Sequence, residues 1–291
     1  MVQISLAILT WKAPKTLLHT LQNLDPILGL FDEKIIVCQE SDPDEIALAR
    51  EFGFKAVVLE TNVGIQNGMK LAFESCTNEL VLFLENDLVL KTGREAAEEI
   101  LTVIGTELAE GRAEFAKLRY LPESRKMNFR RYWRLSNGRP QRRLLGYLRY
   151  GVANSMAADT LHFDISPGLA SRHLVDLGGG IYQTSSRYSK WENLAVFARR
   201  SFFLDVLIPF AETHPTSRTV NGYPDLEHRI NSKKNKSWWR DNNFKLLIAK
   251  PGLFGHRRLD RWAGDDKWLT ADPADDGGPV ERIDYPEGRK T

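Results

Sequence analysis

The sequence lacks the features that mark several common protein classes. Its 291 residues include two cysteines, Cys38 and Cys76, which lie in apolar contexts without zinc-ligand spacing, so neither a disulfide framework nor a zinc site is indicated. No segment approaches the roughly twenty apolar residues that a membrane-spanning helix requires. A basic leader, an internal repeat and a low-complexity tract are also missing. These absences predict a soluble cytoplasmic protein and leave peripheral contact with a membrane open.

Two phosphate-binding motifs are missing as well. No P-loop is present, and no Gly-x-Gly-x-x-Gly follows the first predicted strand. The missing loops count against ATP and dinucleotide binding. They also weaken the case for a nucleotidyltransferase, which remains an alternative function.

Residues 79–90 are the segment around which the chain is organised. The apolar run Leu80–Leu84 has the length and composition of a strand buried on both faces, and it is followed by Glu85 and Asp87. Ligands of open α/β sheets bind beyond the carboxyl ends of the strands, where a divalent cation could neutralise both carboxylates. The simpler interpretation is that the two acids cap the strand or begin a turn.

Strand and helix patterns alternate four times before residue 90, with short connections. Such alternation predicts an α/β fold with a mostly parallel central sheet, right-handed crossovers and helices on its faces. Polar residues follow each strand and would surround one crevice: Thr10 and Trp11, Glu40, Asn62, then Glu85, Asn86 and Asp87.

These segments resemble the nucleotide-sugar half of A-type (GT-A) glycosyltransferases, in particular the family-two class. The similarity is carried by residues 7–11, 39–41, 62–64 with 67–68, and 85–87, in that order. Two departures concern the base contact: Gln39-Glu40 stands where the family usually has paired aspartates, and the Asn-Gly segment is short.

The resemblance implies a role for each matching residue. Asp87 would bind Mn²⁺ or Mg²⁺, and His256, after a late strand, would add a ligand that suits Mn²⁺ better. A surface histidine in a polar loop is the alternative. The nucleotide sugar would contact Thr10, Trp11, Glu40, Asn62, Gly64, Glu85 and Asn86.

A second acidic pair supplies the candidate catalytic base. The segment 191–200 is strand-like, residues 209–212 form a predicted turn, and Asp225 and Glu227 lie in the first turn of a predicted helix. The family places an acidic pair in this position, and a carboxylate there could take the proton of an acceptor hydroxyl. An ordinary N-cap with a helix-dipole acid explains the same pattern.

Basic residues dominate residues 117–149. Eleven lysines and arginines face a single acid, Glu123, and Phe129, Tyr132, Trp133 and Tyr147 are interleaved with them. Three interpretations remain: a solvated surface, a docking site for an anionic acceptor or membrane, and a nucleic-acid site, which no recognised motif supports.

The sequence thus predicts three regions. Residues 1–118 form a nucleotide-sugar-binding half of Rossmann-like GT-A type, residues 119–260 an acceptor-binding and catalytic half with a basic loop at 119–150, and residues 261–291 an irregular polar tail. The predicted function is metal-dependent, inverting transfer of a sugar from a UDP-sugar to a hydroxyl of a glycan or glycolipid, as in polysaccharide biosynthesis. A non-catalytic protein that binds anionic ligands or nucleic acid through residues 117–149 is the other alternative.

Overall fold

The structure, a computed structural model, describes residues 2–120, 174–262 and 281–283. The first half contains β1 (Ile4–Trp11), α1 (Pro14–Leu24), β2 (Glu33–Gln39), α2 (Pro43–Glu51), β3 (Lys55–Val58), α3 (Gly64–Ser75), β4 (Leu80–Glu85), β5 (Leu88–Leu90), α4 (Arg94–Ala109) and β6 (Phe115–Lys117). A 3₁₀ helix, Asp25–Leu30, follows α1.

The second half is built from shorter elements. They are β7 (Val175–Asp176), β8 (Ile181–Ser185), β9 (Val196–Arg199), a π-helical turn (Phe202–Leu207), α5 (Ile208–Thr213), β10 (Thr219–Val220), β11 (Tyr223–Pro224), α6 (Leu226–Asn231), α7 (Lys236–Asn242), β12 (Lys245–Ala249), β13 (Phe254–His256), β14 (Asp260–Trp262) and β15 (Glu281–Ile283).

Nine strands of the described residues form one sheet in the order β3-β2-β1-β4-β9-β6-β12-β8-β7. Pairing from β3 to β4 is parallel throughout, β9 is antiparallel to both its neighbours, and β6 is parallel to β12. Because β8 is antiparallel to β12 and to β7, seven of the nine strands run in one direction. The mostly parallel α/β sheet predicted from the sequence is therefore confirmed, and β8 and β9 are its two antiparallel strands.

Both faces of the sheet are buried. One core contains Leu6, Ile8, Leu82 and Leu84 and is covered by α1, α2 and α4. The other contains alternate residues of the same strands and is covered by α3, the π-helical turn, α5, α6 and α7. Residues in a strand point alternately to the two faces, so the continuous apolar run in β4 is the pattern that a two-sided core requires. Helices on both sides leave the carboxyl ends of the strands as a free edge.

The structure differs from the sequence predictions at two places in the second half. The predicted turn at 209–212 is wrong, because these residues lie in α5, where Pro209 occupies the first turn that proline tolerates. The strand predicted over 191–200 is confined to β9. Trp191 and Asn193, which precede it, form hydrogen bonds with the side chains of Asn231 and Asp225 instead of with a neighbouring strand.

The ends of the predicted regions are covered only in part. Two short parallel strands, β14 and β15, lie in the segment 260–283, for most of which an irregular tail is predicted. Apart from its first two residues, the predicted basic loop at 119–150 lies outside the described residues. Among the helices that the structure describes, none is both long and apolar enough to cross a bilayer.

Candidate active site

Asp87 is the most constrained acid at the carboxyl edge of the sheet. Its side chain is 1% exposed, and Oδ2 accepts bonds from Nε (2.9 Å) and Nη2 (2.5 Å) of Arg258. Burial acts to raise the pKa of Asp87, but the charges of Arg258 and His256 and the hydrogen bonds from Arg258 together lower it below its usual value. Among the described residues, Oδ1 of Asp87 is buried without a hydrogen-bond partner. This carboxylate therefore keeps one oxygen available for a ligand.

His256 lies beside Asp87. It is the last residue of β13, which pairs with β5 and sets His256 opposite Leu88. It contributes to the lowering of the pKa of Asp87, and within the described part of the chain its Nε2 atom is buried without a hydrogen-bond partner. An orphaned carboxylate oxygen and an orphaned imidazole nitrogen are donors that fit a divalent transition metal. In the described residues no group of three or more acidic, histidine or cysteine side chains is arranged to hold a metal ion.

Asp260 fixes the segment that carries His256 and Arg258. Its carboxylate accepts bonds from the backbone N–H groups of Lys15 (3.0 Å) and Thr16 (3.1 Å) and from the Thr16 hydroxyl. It thereby caps α1, whose own N-cap residue offers no side-chain bond. The Thr16 hydroxyl in turn accepts the N–H of Asp260 at 3.1 Å. The start of α1 and residues 256–260 are thus tied together.

Asp225 is the N-cap of α6. Its Oδ2 accepts the backbone N–H of His228 (3.1 Å) and lies 2.8 Å from Nδ1 of that residue, while Oδ1 accepts Nδ2 of Asn193 (2.7 Å). The side chain is buried. Both oxygens of Asp225 are therefore occupied within the protein.

Glu227, two residues into the same helix, is only partly buried and has a different environment. Burial, with smaller contributions from the charges of Glu192 and Asp225, raises the pKa of Glu227 to about 7 against the opposing effects of Lys117 and the N–H of Asn193. A carboxylate with a pKa near 7 suits a general base at neutral pH, because it is ionised in part and still binds a proton well.

The two acidic pairs converge. Burial raises the pKa of Glu85, and the charges of Asp87, Asp225 and Glu227 raise it further against the opposing charge of Arg258. Four carboxylates from the end of β4 and the start of α6 therefore share one region. The structure thus brings together the candidate metal residues and the candidate base.

The predicted nucleotide-sugar residues flank this region, but several are bonded to one another. Nδ2 of Asn86 donates to Thr10 (2.9 Å), and both side chains are buried. Asn62 is also buried and accepts the N–H of Gly64 (2.7 Å). These residues support the strand ends, and their contact with a ligand stays a prediction.

Trp11 and Glu40 occupy the ends of β1 and β2. Trp11 pairs in register with Gln39, whose side chain accepts the N–H of Val63 at 2.9 Å. Glu40, with a positive φ of 62°, forms an ion pair with Lys12. Lys12 is therefore placed between the first two strand ends, a contact that the sequence did not indicate.

Two further charged residues of the site were missed from the sequence. Glu45 is fully buried in α2 and accepts bonds from the Thr10 hydroxyl and the Ala13 N–H. Lys117, at the end of β6, is 6% exposed. Glu45 looks like an ordinary first-turn helix acid, and Lys117 like the first member of the basic run, so neither pattern marks burial.

Comparison with solved structures supports the fold. No protein-family profile matches the chain, and no curated protein matches it. A fragment of S. aureus TarS in complex with UDP-GlcNAc is similar at a TM-score of 0.50 and 14% identity, over 87% of this chain and 58% of that one. Glucosyl-3-phosphoglycerate synthase from Mycobacterium tuberculosis, in complex with Mn²⁺, UDP-glucose and phosphoglyceric acid, aligns at a TM-score of 0.39 and 17% identity, over 69% and 58% of the two chains.

The chain thus spans less than two thirds of either structure. Its sheet order, its acids beyond β4 and its likeness to the TarS fragment agree with one another. The chain has the GT-A fold of nucleotide-sugar-dependent glycosyltransferases.

Proposed function

We propose that this protein is a metal-dependent glycosyltransferase that moves a sugar from a nucleoside diphosphate to an acceptor hydroxyl with inversion. The observation that supports it most is the convergence of Glu85 and Asp87 with Asp225 and Glu227 at the carboxyl edge of the sheet. In this proposal one pair serves the diphosphate and the other serves the acceptor. A binding protein would have no need for a second, base-like carboxylate beside the first.

Asp87 and His256 are the residues that would hold Mn²⁺ or Mg²⁺, through the oxygen and the nitrogen that lack protein partners. A bound divalent ion supplies charge neutralisation for the departing diphosphate. Arg258, already fixed on the other oxygen of Asp87, adds a guanidinium that suits phosphate oxygens. Asp87 is held ionised by the same contact.

Glu227 acts as the base in this proposal. The acceptor oxygen attacks the anomeric carbon, its proton passes to Glu227, and the bond from that carbon to the diphosphate breaks with its electron pair on the leaving oxygen. Attack from the face opposite the leaving group gives inversion. Asp225, whose oxygens are both bonded, holds the start of α6 and so positions Glu227.

The proposed donor is a UDP-sugar. The TarS fragment was crystallised with UDP-GlcNAc, and the residues proposed to contact the donor in this chain are Thr10, Trp11, Glu40, Asn62, Gly64, Glu85 and Asn86. The polar ends of β1, β2 and β4 supply hydrogen-bonding groups where a base and ribose would lie.

A glycan or glycolipid hydroxyl is the proposed acceptor, in polysaccharide biosynthesis in the cytoplasm. The basic composition of residues 117–149 favours an anionic acceptor or peripheral contact with an anionic membrane.

Thermal unfolding with UDP and Mn²⁺ tests the proposal. The pair of ligands should raise Tm, excess chelator should cancel the increase, and Asp87→Asn should abolish it. Asp241→Asn, an exposed aspartate at the end of α7, is the matched control and should respond like the wild type.

Transfer from UDP-GlcNAc and UDP-glucose is then measured with glycan acceptors. Stabilisation that survives both chelator and Asp87→Asn would contradict the metal site, and full transfer by Glu227→Gln would contradict the base.

A further inference from the structure

Lys117 is a buried cation that the proposed reaction does not yet use. It ends β6, where its backbone pairs with Val196 of β9 and Ile248 of β12, at the carboxyl edge of the sheet. Its ammonium lies 3.1 Å from Oε1 of Glu192, and the two side chains are 7% and 26% exposed. An unpaired ammonium at this depth would lose its hydration without compensation. Lys117 must therefore keep a carboxylate partner.

The segment that carries Glu192 is firmly attached to α6. Asn231 donates to the carbonyl of Trp191 (2.8 Å) and accepts its N–H (3.2 Å), and Asn193 bonds to Asp225. The Trp191 indole donates to Asn193 at 2.9 Å. Glu192 therefore moves with the helix that carries Glu227.

Charged groups from several elements act on Glu227. The N–H of Asn193 bonds to its carboxylate, and the neighbouring charges come from the following residues: Lys117 of β6, Glu192 of the segment before β9, Asp225 of its own helix with His228 paired to it, and Glu85 at the end of β4. The charges of Glu192, Asp225 and Glu85 disfavour ionisation of Glu227. The charge of Lys117 favours it.

We propose that Lys117 is a positioning residue which divides its charge between Glu192 and Glu227 and so keeps Glu227 able to ionise at neutral pH. The proposal rests on the role of Glu227 as base. Glu192 acts in the opposite sense, because it draws the ammonium toward itself and repels the carboxylate of Glu227. The balance between the two neighbours sets the pH at which the base becomes active.

Two substitutions are expected to shift the titration of Glu227 in opposite directions. Lys117→Met removes the cation and should move the acidic limb of kcat/KM upward by about one pH unit. Glu192→Gln removes the competing acid and should move the same limb downward by about one unit. Lys117→Arg keeps the charge and should leave the limb near its wild-type position. A purely structural lysine would lower the rate at every pH and leave the limb in place.

A second readout does not need activity. The free energy of unfolding of each protein is compared with that of its Glu227→Gln counterpart between pH 5 and 9, and the upper pH at which the difference levels off marks the midpoint of the titration of Glu227 in the folded state. Opposite shifts of this midpoint in Lys117→Met and Glu192→Gln support the proposal. An unchanged midpoint in Glu192→Gln, whose partly exposed side chain makes misfolding a minor concern, overturns it. If the wild-type protein transfers no sugar, the proposed function fails, while the unfolding titration still decides the role of Lys117.

Discussion

Replacement of Glu45 by glutamine offers a direct test of the electrostatics of this sheet edge. Glu45 lies in the first turn of α2 and is fully buried. Its Oε1 accepts bonds from Thr10 and from the N–H of Ala13 (2.9 Å), and Oε2 has no hydrogen-bond partner. Burial raises the pKa of Glu45 from 4.5 to about 7, with a smaller upward contribution from Asp42 opposed by the hydrogen bonds.

The expected magnitude follows from linkage between proton binding and folding. The folded protein holds this proton more tightly than the unfolded chain, so the free energy of unfolding falls as pH rises from about 4.5 to about 7 and changes no further above that range. A pKa of about 7 against 4.5 corresponds to a loss of about 3 kcal/mol. The glutamine side chain cannot ionise, so the free energy of unfolding of the variant does not include this loss. The amide NH₂ group of glutamine would replace Oε2, the oxygen without a partner. Leaving its N–H groups unbonded adds a destabilisation of about 1–3 kcal/mol that does not depend on pH.

Urea unfolding of the wild type and of Glu45→Gln between pH 4.5 and 8.5 separates the two effects. The difference in free energy of unfolding between variant and wild type should increase by about 3 kcal/mol across this range in favour of the variant, whatever its value at pH 4.5. Glu51→Gln, an exposed glutamate at the end of the same helix, is the matched control and should change stability by less than about 0.5 kcal/mol. A difference that is flat with pH, or that falls, would show that burial does not govern this carboxyl.

Two further substitutions test the contacts around the site. Asp260→Ala removes the distant cap of α1 and should lower the free energy of unfolding by about 2 kcal/mol in urea titration; an unchanged midpoint would show that the tie to Thr16 does not contribute. Gly64→Ala should cost about 2 kcal/mol or more, because φ is +78° and the added Cβ would lie 2.2 Å from Cβ of Tyr223. Gly29→Ala, where nothing lies within 4 Å, is the control, and equal losses in both variants would contradict the steric argument.

The sequence predicted the helices and strands whose formation depends mainly on their own residues. The alternation of strand and helix patterns predicted before residue 90 is observed as β1, β2, β3 and β4 with α1, α2 and α3 between them. The strand predicted at Leu80–Leu84 is β4. A helical apolar stripe and a short apolar run are readable without knowledge of the neighbours. The acids that follow β4 could likewise be placed at the carboxyl edge of the sheet.

Features that depend on distant parts of the chain could not be predicted. The antiparallel insertion of β9 between β4 and β6 is decided by pairing, and no local pattern encodes it. Asp260 caps a helix that begins at Pro14, and sequence proximity gives no sign of this. Lys117 is buried because β9 and β12 flank it, whereas its neighbours along the chain suggested a solvated basic surface.

The aspartate and the glutamate of each acidic pair have different environments, and the difference is the same in both pairs. In each pair the aspartate is anchored within the protein, Asp87 on Arg258 and Asp225 on Asn193 and the start of α6. In each pair the glutamate is only partly buried and has a raised pKa. Acids whose environments differ in this manner can hold charge at one position and exchange a proton at the other. The anchored aspartates thus fix the two ends of the site, and in the proposed reaction Glu227, which the second anchor orients, is the carboxylate that takes the proton.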